Sequence, residues 1–326
     1  MDHFCSLEGL NVDNVWLTIG SFDGVHRGHQ AIISRLVTRA HAERSRAVVL
    51  TFHPHPTLVL RNQSSHFYLT SPDERANLMS KLGVDIVITH PFNQEVARLS
   101  AREFILRLQK HLDIRHLCAG HDFALGRNRE GDLTVLKTLG SEFGFSMNIV
   151  QPVLIEGEVV SSSRIRSALN NGDISLVNQL LGRSYEVNGE VIHGDGRGRL
   201  LNIPTANLDI WKERAVPKAG VYACQAVTGE KTWKAVTNIG FRPTFNPDTP
   251  NIQSLEGYPN VINQLNFPHV EAHLLDFHGD LYQHHVTLSF ISRLRDEKRF
   301  ANVDALLNQV HQDIQVARKI LQMEGQ

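Results

Sequence analysis

The sequence predicts two domains in tandem: an N-terminal parallel α/β sheet of the doubly wound, Rossmann-like class, then a small antiparallel β-barrel with a C-terminal helix. Three observations carry this reading. The chain has 326 residues, about twice a typical domain. As far as about Val153, short β-branched runs alternate with amphipathic stretches, the pattern of a parallel sheet covered by helices. Beyond Ser184 polar turns separate alternating strands with no helix between them, as in a small barrel.

Taken in order, the first half should place strands at Val15–Ile19, Ala47–Phe52, Val84–Thr89, His116–Ala119 and Met147–Val150. Between the first two, Ile32, Ile33, Leu36, Val37 and Ala40 recur at helical spacing. Further helices fit Asp73–Leu82, Ala101–Leu112, Leu133–Phe143, Ser163–Asn170 and Ile174–Leu181. Gly182-Arg183-Ser184 then breaks the pattern, which sets the expected domains at 1–183 and 184–326. Barrel strands are expected at Tyr185–Ile192, Val221–Val227, Trp233–Asn238, Val270–Leu275 and His285–Phe290. Asn246 to His269 reads as a long surface loop. The stripe Val303, Leu306, Leu307, Val310, Ile314, Ala317, Ile320 and Leu321 closes the chain as a helix fit to cover one side of the barrel.

Composition narrows the function. Lys and Arg number 33 against 34 Asp and Glu, a formal net charge of −1, so no whole-chain basic field exists to gather nucleic acid. Apolar residues at 41% and charged residues at 21% argue against disorder and against a membrane bundle. Cys5, Cys118 and Cys224 are odd in number and lack CxxC spacing, which favours a reducing cytoplasm. The start, MDHFCSLEGL, has no apolar core of a signal peptide, and no stretch approaches a membrane span. The expected partners are therefore small molecules, with neither nucleic acid nor membrane; self-association leaves no signature in the sequence.

The first chemical constellation follows the first strand: Gly20-Ser21-Phe22-Asp23-Gly24-Val25-His26-Arg27-Gly28-His29, leading into a helix. In doubly wound sheets ligands bind outside the carboxyl ends of the strands. His26 and His29, three apart, can share one face at a helix N-terminus, where backbone N–H groups and the helix dipole favour anions. Gly20, Gly24 and Gly28 would let backbone approach a nucleotide, and Phe22 and Asp23 are expected with them among the residues that bind ATP and its phosphates. Two exposed histidines in a turn, or a zinc site, are the competing readings, although no Cys or carboxylate pair nearby supplies metal-ligand spacing. A second cluster, Ser161-Ser162-Ser163-Arg164-Ile165-Arg166, opens a later helix. Ser162, Ser163, Arg164 and Arg166 there could clamp a triphosphate, or merely form a Ser-rich cap with solvated arginines. Asp122, Phe123, Gly126 and Asn128, after the fourth strand, could line a second substrate's pocket. In Thr51-Phe52-His53-Pro54-His55-Pro56 the histidines read as structural.

The barrel half carries Gly194-Asp195-Gly196-Arg197-Gly198-Arg199 and Pro204-Thr205-Ala206-Asn207. A glycine-rich turn with Gly194, Gly198 and Arg199 can wrap phosphates, and the Thr205 hydroxyl and Asn207 amide oxygen are hard ligands suited to Mg²⁺. Glu271 alternates with Val270, Ala272 and Leu274, so by strand statistics it is a solvated outer residue.

The ordered set GSFDGVHRGH, TFHPHP, HDFALGRNREGD, SSSRIRSAL, LLGRSYEVNGEV, IPTANL, TNIGFRPTF, VEAHLLDFHGDLY and FISRLRDEKRF resembles the bacterial bifunctional riboflavin kinase/FAD synthetases over nearly the whole chain. The resemblance implies an N-terminal FMN adenylyltransferase and a C-terminal riboflavin kinase with a six-stranded barrel, using ATP, riboflavin, FMN, FAD and Mg²⁺. It implies that His26 and His29 stabilise adenylyl transfer, that Ser162, Ser163, Arg164 and Arg166 hold ATP phosphates, that Thr205 and Asn207 bind Mg²⁺ and phosphate, and that Glu271 is the base. The chain departs from the family where Gly-Phe before Pro-Thr-Ala-Asn becomes Asn202-Ile203, where Leu-Tyr-Gly-Lys becomes Leu281-Tyr282-Gln283-His284, and in the long loop before Glu271. An adenylyltransferase with an inactive, flavin-binding barrel is the alternative these departures raise. A class I aminoacyl-tRNA synthetase shares His-x-Gly-His but would need a KMSKS-like segment that the chain lacks.

Overall fold

A computed structural model of the chain describes residues 1–61, 67–194, 203–240 and 268–323. The chain forms two compact units, Met1–Arg164 and Ile165–Gln326.

The first unit is built on six strands, β1 (Asp2–Phe4), β2 (Val12–Ile19), β3 (Arg46–His53), β4 (Ile86–Pro91), β5 (Leu112–Gly120) and β6 (Ser146–Val150). Their order is β1-β4-β3-β2-β5-β6, with every neighbouring pair parallel. Both faces of such a sheet must be covered. Val15, Leu17, Val48, Leu50 and Phe52 pack on one side with Phe104, Ile105, Leu108 and Leu136. These come from α5 (Ala101–Gln109) and α6 (Leu133–Phe143). Trp16, Ala47 and Val49 pack on the other side with Ile33, Leu36, Ala76 and Met79, which belong to α1 (Arg27–Ala42) and α3 (Pro72–Lys81). Local signals set the helix starts: Ser71 with Glu74, and Ser100 with Glu103, form capping boxes. Two short helices, α2 (Pro56–Arg61) and α4 (Gln94–Arg98), and a hairpin of β7 (Leu154–Ile155) and β8 (Glu158–Val159) complete the unit. Strand order reverses at β2, between β3 and β5, and in sheets of this class ligands bind beside such a switch point at the strands' carboxyl ends.

α7 (Ser162–Asn171) begins at the end of the first unit, and α8 (Ile174–Leu181) follows it. The Asn178 side chain receives the Tyr185 N–H (2.8 Å) and donates to the Phe290 carbonyl (2.9 Å), so α8 packs with the barrel. Gly182, whose left-handed backbone (φ 73°) ends α8, stands just before the boundary the sequence places between residues 183 and 184.

The barrel closes in the order β10-β13-β12-β11-β14-β9 with antiparallel neighbours throughout. Its strands are β9 (Tyr185–Ile192), β10 (Ala206–Ile210), β11 (Gly220–Thr228), β12 (Lys231–Gly240), β13 (His269–Leu274) and β14 (His285–Arg295). β10 is a strand the sequence pattern does not announce, because its start overlaps the Pro204–Asn207 motif, yet Ala206, Leu208 and Ile210 show the same buried alternation as their neighbours. The closing helix α9 (Val303–Met323) lays Ala317 and Leu321, flanked by Ile314 and Ile320, on Val221, Ala223 and Val236 of the barrel's outer wall.

Candidate active sites

In the first unit the loop from β2 to α1 is held from below. The Asp23 side chain is fully buried and accepts the backbone N–H groups of Leu69 (3.0 Å) and Thr70 (3.1 Å) and the Thr70 hydroxyl (3.3 Å), which in turn accepts from Gly24 N–H (3.0 Å). Phe22 is also buried, its ring edge-to-face with that of His29 at 5.1 Å between centroids. Both side chains therefore shape the loop from beneath, and neither is exposed as an ATP-binding side chain would be. Phe22, Gly24 and Val25 all adopt positive φ (47°, 83° and 39°), a conformation that costs a branched residue such as Val25 about 1–2 kcal/mol and persists only in a well-braced loop.

His26 is the N-cap of α1, and its Nδ1 accepts the His29 N–H at 3.3 Å. That bond assigns the neutral ring's proton to Nε2, leaving a donor at the helix N-terminus. The two imidazoles stack at 3.6 Å with 20° between their planes. Gly28 lies beneath them, where a Cβ would come within 3.1 Å of the His26 ring. Burial, then the positive fields of His26, Arg75 and His55, hold His29 well below the ordinary histidine value. His29 is thus neutral near pH 7.

Arg75 went unnoticed in the sequence. It is wholly buried, and its Nη1 donates to Ser21 O (2.8 Å), Thr51 Oγ1 (2.9 Å) and Phe52 O (3.2 Å), tying the ends of β2 and β3 together under the site. Its helical spacing with Met79, one turn along the buried face of α3, was the available signal. His55 has the structural part expected of it, since its Nδ1 accepts the Thr57 N–H at the start of α2 (3.1 Å), but it also lies close enough to influence His29.

The Ser162 hydroxyl donates to the Asp23 carbonyl (2.9 Å), which fastens the start of α7 to the histidine-bearing loop, and Ser163 is exposed beside it. The Arg164 guanidinium is committed elsewhere, donating to Ile155 O (2.9 Å) and Glu158 O (3.2 Å) and pairing with Glu158 (3.1 Å), so it braces the β7–β8 hairpin. Arg166 is half-buried further along α7. After β5, Asp122 and Asn128 are exposed and Phe123 is half-buried on the core. Gly126, at φ 80°, backs directly onto Ala101 and has no space for a side chain.

In the second unit two cavities meet. One, of about 330 Å³, lies between the outer barrel wall and α9, lined by Val221, Val236, Leu306, Leu307, Val310 and Phe300 together with Glu271 and Arg295. The other, of about 620 Å³, is lined by Gly194, Asn207, Phe277, Leu281, Tyr282 and His193, the last two in ring contact at 3.8 Å. Thr205 lines both. Asn207 and Asn238 flank Glu271 as its direct cross-strand partners. Glu271 does face out of the barrel, as alternation requires, but outward here means into the cavity beneath α9. Gly194 packs against the Asn207 amide, where any side chain would collide. Gly198, Arg199, Asn202 and residues 246–267 of the long loop lie outside the described residues. Gln283 has φ 64°, so this chain carries a side chain in the left-handed position for which the resembled family has glycine.

Among the described residues no group of three or more His, Cys, Asp or Glu forms a metal cluster. The oxygens of Thr205, Asn207 and Glu271 suit a hard divalent cation that takes few protein ligands and completes its shell with water and phosphate.

The family model described as FAD synthetase matches residues 10–164, and the one described as riboflavin kinase matches residues 181–321. A bifunctional riboflavin kinase/FMN adenylyltransferase of Pseudomonas fluorescens is 38% identical over 304 residues, covering 93% of this chain and 92% of the relative. Proteins of the same name from Escherichia coli strain K12 (35% over 305 residues, 93% and 91% covered) and Bacillus subtilis strain 168 (34% over 303 residues, 92% and 90% covered) are similar to it. Among solved structures, a Streptococcus pneumoniae protein described as a macrolide-efflux protein matches with a TM-score of 0.83 and 27% identity over 97% of this chain and 98% of that one. Among the described residues no helix of the present chain is long and apolar enough to cross a membrane. Two family matches in this order on one chain, with relatives alike along nearly its full length, place the protein in the bifunctional riboflavin kinase/FMN adenylyltransferase family.

Proposed function

We infer that this chain phosphorylates riboflavin to FMN with ATP, releasing ADP, and then adenylylates FMN with a second ATP, releasing pyrophosphate. Residues 1–183 serve the second reaction and residues 184–326 the first, in the cytoplasm. The observation that carries the reading is that each half keeps its chemical groups in place: the stacked His26–His29 pair at a helix N-terminus, and Thr205, Asn207 and Glu271 around two adjoining cavities.

For adenylyl transfer, a phosphate oxygen of FMN attacks the α-phosphorus of ATP and the bond to pyrophosphate breaks. His26 Nε2–H and the His29 ring donate to the phosphate oxygens as charge builds there, aided by the dipole of α1. The triphosphate's own charge raises the proton affinity of the otherwise neutral His29, so the donor strengthens when substrate binds. The Ser162–Asp23 bond keeps the start of α7 at this loop, with Ser163 and Arg166 completing the phosphate grip. Asp122, Phe123, Gly126 and Asn128 border the flavin.

For phosphorylation, riboflavin enters the apolar cavity beneath α9 and ATP the larger, more polar one. Glu271 takes the proton of the 5′-hydroxyl as that oxygen attacks the γ-phosphorus, and Thr205 and Asn207 position the phosphates. Mg²⁺, bound through Thr205 and Asn207, would neutralise phosphate charge. Incubation with riboflavin, ATP and Mg²⁺, followed by chromatography of the flavins, should show FMN and then FAD. FAD from supplied FMN with riboflavin left unconverted would restrict the activity to the first half, and no product from either flavin would refute the reading.

A further inference from the structure

The segment Ile203-Pro204-Thr205 is the partition between the two cavities: Ile203 lines one, Pro204 the other and Thr205 both. It lies ahead of the β10 ladder, whose pairing with β13 starts at Ala206–Ala272. Pro204 contributes no N–H. Its carbonyl is instead held by His273, whose Nδ1 lies 2.7 Å away. A carbonyl only accepts, so Nδ1 carries the proton. His273 is two residues from Glu271 on the same outward face of β13, and its ring lines the cavity beneath α9.

We propose that His273 is a positioning residue of the kinase centre, acting through Pro204 to fix the Thr205 hydroxyl relative to Glu271. One strand then carries both the base and the anchor of the phosphate-side wall, so the register of β13 sets the separation of proton acceptor and phosphate site. This inference rests on the kinase reading above.

The test uses the whole chain and three variants. The amide nitrogen of asparagine overlays His Nδ1, that of glutamine overlays Nε2, and phenylalanine keeps the ring without a donor. His273→Asn should form FMN within about threefold of the parent. His273→Gln and His273→Phe should lose roughly tenfold or more in kcat/KM for Mg-ATP, the effect of one well-placed hydrogen bond. FAD formation from supplied FMN should be equal in all four proteins, and thermal melts should coincide. Equal behaviour of the Asn and Gln variants, or full FMN formation by the Phe variant, would overturn the proposal alone. A parent protein that makes no FMN would overturn the kinase reading and this inference with it.

Discussion

Replacing Asp313 with alanine should loosen the hold of the cavity-forming helix on the barrel. Asp313 is 5% exposed, and both its oxygens accept from Arg295 Nε at 3.0 Å while one also accepts from Nη2 at 2.8 Å. Gln309 donates to the same carboxylate at 3.0 Å. Removing one partner of a buried ion pair costs about 3–5 kcal/mol, because the other charge is left unpaired. Arg295 would keep its bond to Asp296 O (2.9 Å) and its place 5.8 Å from the Phe300 ring centre, so the lower end, about 3 kcal/mol, applies. That is roughly a hundredfold in the folding equilibrium of the barrel unit. Urea denaturation followed by circular dichroism, with FMN formation assayed at each urea concentration, reads the loss. Arg295→Met with Asp313→Leu should recover most of it, since a well-packed apolar pair often matches a buried ion pair. A single variant that loses under about 1 kcal/mol, or a double variant no better than the single, would refute the reasoning.

Glu271→Gln should lower FMN formation by about 10²- to 10⁴-fold while sparing FAD formation from FMN, and His29→Ala should do the reverse; losses of similar size in both assays for either variant would contradict the assigned roles. Below neutral pH the fold should weaken. His29 and His90, both held below the ordinary histidine value chiefly by burial, bind fewer protons folded than unfolded, so their effect is absent above about pH 7 and grows as pH falls through the unfolded value near 6.5. Thermal melts at pH 7.5 and pH 5.5 measure it, and an unchanged Tm would count against the burial argument. Gln283→Gly should stabilise the barrel by up to about 1 kcal/mol, as a left-handed side-chain penalty is removed, with a higher urea midpoint as the sign.

Much of this was written in local patterns. The parallel sheet followed from β-branched runs spaced by helical stripes, and the HxGH element could be placed at a helix start because a strand precedes it and an apolar stripe follows. What stayed hidden depended on distant neighbours. Arg75 reads as one more charge on a polar helix, and only the meeting of β2 and β3 buries it. Asp23 looks like a ligand in sequence, yet its partners, Leu69 and Thr70, lie far along the chain. Glu271 shows the same limit from the other side: alternation correctly turns it out of the barrel, but nothing in the strand says that α9 roofs that face. The β1 strand, three residues long, is too short to carry a period at all.

The placement of Thr205 bears on kinetics. With riboflavin and ATP in the two cavities that Thr205 lines, as proposed above, each would load without displacing the other, and the phosphoryl group would pass directly from donor to acceptor. That placement predicts a sequential scheme with no phosphorylated protein species. Labelled ADP should therefore fail to exchange into ATP when flavin is withheld, and initial-rate plots for FMN formation should intersect instead of running parallel.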